Sequence, residues 1–208
     1  MMSVPIFVLA GTLAAGLGVI VARLFEPDNK IWIDGCAVFV PVALMIFLVD
    51  GPVPVSQLIW SMVLISGLTA LFSVDAKARM VPDLLTIPMI MLGLAHAALQ
   101  THLFLIFAMT SIGVILAAYL ISLVTPKKTS WIGAGDVLLF SGAMAWFGPG
   151  LAPDLLVMTG GFVLLWVLVS KLLPRPAAPE QSPADRFLPL APALGTAQIA
   201  VWMGGPLL

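Results

Sequence analysis

Charge is what this chain has least of. Only 9% of its 208 residues are Asp, Glu, Lys or Arg, against 61% hydrophobic residues and a mean hydropathy of +1.14. A soluble domain is typically about a quarter charged, so a water-facing globular fold is excluded. Cysteine occurs once, at Cys36. That excludes an intrachain disulfide and any zinc site built on paired cysteines. The two histidines, His96 and His102, do not make a metal site between them, and no metal or organic cofactor is expected. Nothing points to a nucleic-acid partner. Basic residues are also missing ahead of the first apolar run, while Arg23 follows it, so this run reads as a helix of the mature protein and not as a secretory signal.

What the chain does have is a succession of apolar runs. About 20 apolar residues are needed for a helix to cross the hydrocarbon core, and candidates lie near 4–24, 32–49, 54–74, 84–100, 103–124, 131–148, 154–173 and 187–206. The expected fold is therefore all-α: a polytopic integral membrane protein of about eight transmembrane helices with the lipid bilayer as its main partner. Charge placement supports this count independently. Arg23 and Lys30, Lys77 and Arg79, Lys127 and Lys128, and Lys171, Arg175 and Arg186 all fall in alternate connections. The positive-inside rule puts these connections in the cytoplasm, both termini outside, and the turns at Asp50, Thr101 to His102 and Pro153 to Asp154 on the outer face.

The first two spans hold small and apolar residues, with Gly11, Gly16 and Gly18 suited to close helix contact in lipid. They read as packing helices; Asp34, near the entrance of the second, is assigned no chemistry. Between spans three and four, Pro82 disfavours helix at Val81, so span four should start near Asp83. Asp83 is a good helix N-cap by type and position. Pro174 to Asp185, rich in Pro and Ala, reads as an extended linker, and Pro189, Pro192 and Gly195 should distort the start of the last span.

Two acids resist such accounts. Asp75 ends span three, where the negative end of the helix dipole disfavours a carboxylate. Asp136 follows Gly133, Ala134 and Gly135 within a stretch apolar enough to enter a bilayer, where a carboxylate is costly. The two glycines permit an irregular turn or the close approach of another backbone. Both acids fall at similar shallow depth on the cytoplasmic side. A pair of carboxylates brought close shares one proton, the arrangement with which aspartic proteases activate water and polarise a peptide carbonyl. A proton or cation path is the other chemistry open to such acids. Ser141 is no rival nucleophile, since no histidine or lysine is placed to activate it.

At these residues the chain resembles the type IV prepilin peptidases, membrane aspartyl proteases of the GxGD class. The matching segments are VDAKARMVPDLLTIP, GAGDVLLF and FLPLAPALGTA, with the two acids 61 positions apart (136 − 75). The resemblance implies two additional helices over 1–52 and a six-helix catalytic core over 53–208. It further implies Asp75 and Asp136 as the catalytic pair, with Gly133, Gly135, Arg79, Pro82, Asp83 and Pro189 binding substrate or shaping the site. The substrates it implies are prepilin or pilin-like precursors, cut after a glycine that ends a short basic leader, on the cytoplasmic side of the inner membrane. Pilus or secretion assembly proteins are implied as further partners. Larger relatives carry a paired-cysteine domain and also N-methylate the new terminus; with one cysteine, this chain is similar to the short, peptidase-only form of Flp/Tad pili. Where the family often has a lysine after the second acid, Val137, Leu138 and Leu139 stand here. An inactive pilin-binding scaffold is the alternative which that departure suggests.

Overall fold

The computed structural model describes residues 4–25, 31–48, 54–78, 81–100, 102–124, 134–172 and 190–204. They form eight α-helices and no strand: α1 (Val4–Phe25), α2 (Ile31–Leu48), α3 (Val55–Ala78), α4 (Asp83–Gln100), α5 (Phe104–Val124), α6 (Ala134–Phe147), α7 (Ala152–Leu172) and α8 (Leu190–Gly204), with a 3-10 turn at Pro149–Leu151 before α7. Each helix falls on one of the eight apolar runs. Four of them, α1, α3, α4 and α5, are individually long and apolar enough to cross a membrane. The count becomes five if α6 and α7, bent by 113° at their break, are taken as a single span. The 14 described residues of α6 extend about 21 Å, against a hydrocarbon core of roughly 30 Å.

Residue size decides which helix faces meet. Helix α1 buries Phe7, Gly11, Ala14, Ala15, Gly18 and Ala22 while leaving Leu9, Leu13, Leu17, Ile20 and Leu24 exposed. In water this pattern would be inverted; in lipid, where Leu gains nothing by leaving the tails, small residues take the interface so that backbones can approach. Gly18 shows how close that approach is, since a Cβ there would run into the Ser66 carbonyl of α3. On α5, nearly every large side chain from Leu105 to Leu123 faces outward.

Helix α8 is the centre of the fold. Residues 191–201 are all buried, packed against α3, α7, α2 and α6, with Leu194, Ala197, Ile199 and Val201 joining Leu64, Leu68 and Leu71 in the main apolar core. Pro192 falls in its first turn, where a missing N–H costs nothing, and Thr196 Oγ1 donates back to the Pro192 carbonyl at 2.6 Å. The described part of α8 is helical from Leu190 through Pro192 and Gly195, and Pro189 lies outside the described residues. Helix α6 is locked on two sides. Its Trp146 Nε1 donates to the Met89 carbonyl of α4 at 2.9 Å, and its Ser141 exchanges hydrogen bonds with Ser111 of α5 at 2.8–3.0 Å.

One turn differs from expectation. The reversal expected at Pro153 to Asp154 occurs earlier, at Gly148, whose φ of 68° is a left-handed conformation open to glycine and whose N–H donates to Met144 O at 2.9 Å. Pro153 and Asp154 then lie in the first turn of α7, where Asp154 is buried. The proline signal was displaced because Pro is equally at home in the first turn of a helix.

Candidate active site

Helices α4 and α6 run side by side in the same direction. Near their starts, a Cβ on Gly135 would lie 2.7 Å from Val81 Cβ; near their ends, one on Gly93 would lie 2.6 Å from the Trp146 ring. Since Val81 follows closely on the end of α3, the last turn of α3 and the first turn of α6 share one end of the bundle. Asp75 belongs to the former and Asp136 to the latter. The connection through Val81 thus brings the two acids to the same end of the molecule. Gly135 is needed for this: any side chain there meets the Val81 side chain and, at 3.2 Å, its carbonyl oxygen.

Asp75 is 5% exposed, and its Oδ2 accepts a hydrogen bond from the Ala191 N–H at 3.1 Å. This resolves the conflict posed by its position. The carbonyls that end α3 disfavour a carboxylate, but the N-terminus of α8 points its unsatisfied N–H groups and the positive end of its dipole at the same group. A second helix supplies what the first withholds. Asp136 lies in the first turn of α6, the favourable end of its own helix, and is partly exposed.

Asp83 departs from its expected role. The Pro82 carbonyl accepts from Leu85 N–H at 3.0 Å and Thr86 N–H at 3.2 Å, so Pro82 occupies the cap position and Asp83 is the first helical residue, exposed to its surroundings. Its charge still suits the helix start, but by dipole and not by capping. Pro82 is half-buried beside Val81. Gly133, Arg79 and Pro189 lie outside the described residues, as does the 174–185 connection. Ser141, wholly buried in its clasp with Ser111, has a structural role.

The residue that sequence reasoning passed over is Asp34. It is 5% exposed in the first turn of α2, with Oδ1 2.7 Å from Lys77 Nζ and Oδ2 3.0 Å from Arg23 of α1. The Lys77 side chain is fully buried. An acid at the mouth of an apolar run is a signal of function in a membrane chain, and it was available in the sequence. Among the described residues, no group of three or more His, Cys, Asp or Glu comes together as metal ligands do.

The described structure is that of an all-helical membrane protein with two carboxylates at helix ends on one side of the bundle. A family profile described as the type IV leader peptidase family matches residues 62–170, just over half of the chain and including both acids. The chain belongs to that family, whose members are proteases that remove leader peptides. Comparison with curated proteins and with solved structures gave no match.

Proposed function

We propose that the protein is an aspartyl endopeptidase that removes the short basic leader from prepilin-like precursors, using Asp75 and Asp136 as its two catalytic carboxylates. The observation that supports this most directly is the placement of both acids at one end of the bundle. Asp75 is fixed there by the Ala191 amide, and Asp136 is brought in by the contact of Gly135 with Val81. In the reaction, one carboxylate takes a proton from water as the water oxygen bonds to the scissile carbonyl carbon. The other, protonated, hydrogen-bonds the carbonyl oxygen and gives its proton to the nitrogen as the carbon–nitrogen bond breaks. The distribution of basic residues supports a cytoplasmic position for this end, at the inner membrane in this reading. Gly135, Pro82 and Asp83, together with Gly133, Arg79 and Pro189, shape the groove for the leader.

The test is incubation of the purified protein, in detergent or proteoliposomes, with a precursor carrying a short basic leader that ends in glycine. Cleavage after the glycine is expected, lost in both Asp75→Asn and Asp136→Asn while the proteins still insert. Cleavage at wild-type rate by either variant would sink the two-carboxylate mechanism. Binding of the leader without product, even by the wild type, would identify a scaffold.

A further inference from the structure

The last turn of α3 is held from two sides. Residues two apart leave a helix about 200° apart, and two different helices meet this turn: Asp75 receives the α8 amide, while Lys77 meets Asp34 of α2. The Asp34 carboxylate is divided between two cations. Oδ1 faces the buried Lys77, and Oδ2 takes Nε and Nη2 of Arg23, each at 3.0 Å, on a side chain that is 47% exposed. Three helix ends, those of α1, α2 and α3, are thereby tied at one point. A buried ion pair is a poor device for stability alone, because desolvation offsets most of the attraction; its attested use is to fix one register among several. The element whose register is fixed here carries Asp75.

We propose that Asp34 is a positioning residue for the catalytic carboxylate Asp75, acting through Lys77. The N-terminal helix pair is then part of the active-site support, although α1 and α2 lie outside the family-matched stretch. Without Asp34, the tie between α2 and the last turn of α3 is lost. Asp75 lies on that same turn, so the place of its carboxylate is no longer fixed from the α2 side. A misplacement of about 1 Å costs on the order of a hundredfold in rate. The inference rests on the aspartyl-protease reading above.

The experiment measures kcat and KM for the glycine-ended leader peptide, together with thermal unfolding, in four full-length variants. Asp34→Asn should lower kcat about ten- to a hundredfold with KM changed by about twofold or less. Asp34→Glu, which keeps the charge, should recover most of that loss. Arg23→Gln should stay within about threefold of wild type, since its partly exposed guanidinium leaves the Lys77 contact in place. Asp75→Asn should be inactive. If Asp75→Asn is inactive and Asp34→Asn keeps its kcat, or loses only melting temperature at unchanged kcat per folded molecule, the positioning role is overturned while the protease reading stands. A loss in Arg23→Gln as deep as that in Asp34→Asn would overturn the route through Lys77. An active Asp75→Asn would remove the reading on which both rest.

Discussion

At one end of the bundle, Asp34, Lys77 and Asp75 are buried in the terminal turns of α2 and α3, and at the other end Trp60, His96, Trp146 and Trp202 meet ring against ring. The same helices α3, α4, α6 and α8 supply both ends, so the difference lies in what holds them. The aromatic end is fastened by area and geometry: His96 stacks on Trp146 at 5.5 Å, Trp202 stands edge-on to both, and Trp202 Nε1 donates to Ser61 Oγ at 2.7 Å. A cavity of about 310 Å³, lined by residues including Gln57, His96 and Trp202, opens there without disturbing the lock. The acidic end is fastened by charges and by helix termini. Such contacts are directional, which suits the end proposed to do the chemistry, whereas the aromatic end provides the fixed frame.

Substitutions at the two ends should therefore fail in different ways. The largest effect belongs to Asp75→Asn and Asp136→Asn, each expected to lower cleavage by about a thousandfold or more with little change in melting temperature, read from product formation and thermal unfolding side by side. Gly135→Ala follows: its Cβ would press on Val81, displacing the start of α6, so kcat should fall roughly tenfold or more while the helical content by circular dichroism is kept. At the frame end the order reverses. Trp146→Ala removes a buried ring and its Nε1 hydrogen bond to the Met89 carbonyl, a loss of about 3–5 kcal/mol that should appear in thermal or denaturant unfolding. The kcat of the folded fraction should stay near wild type; an equal fall in kcat would show that the two ends are not separable. The smallest effect is expected for Asp83→Asn. Exposed at the first position of α4, Asp83 contributes to the fold only through its charge at the helix dipole, about 0.3–1 kcal/mol, so the melting temperature and kcat should hold near wild type while any loss appears in KM for the leader.

The helices were legible because hydropathy is a local property, summed over about 20 residues that must all meet the same solvent. All eight runs became helices, with ends shifted by a few residues where caps and turns intervened. Asp75 was legible as a conflict between a residue and its own helix dipole. What resolved the conflict, the Ala191 amide, lies 116 residues away in a connection-rich part of the chain where no local signal points back to α3. Asp34 was visible as an acid among apolar residues, but no local signal pointed from it to Lys77 on another helix. That pairing belongs to helix packing. Asp83 was misplaced by one position because Pro82 can serve as a cap by its carbonyl alone.

Sequence alone determined that this chain lives in a membrane, that it is helical, and that two carboxylates stand at helix ends where composition gives them no structural excuse. Those facts follow from transfer free energies and helix dipoles, which each residue carries wherever it goes. Tertiary structure decided that α8 is the buried centre, that α6 ends at Gly148 in a sharp bend, and that Asp75 meets the Ala191 amide of α8 while Lys77 meets Asp34 of α2. These depend on which small residues let which backbones approach, and on pairings between segments far apart in the chain. A linear pattern carries no record of them.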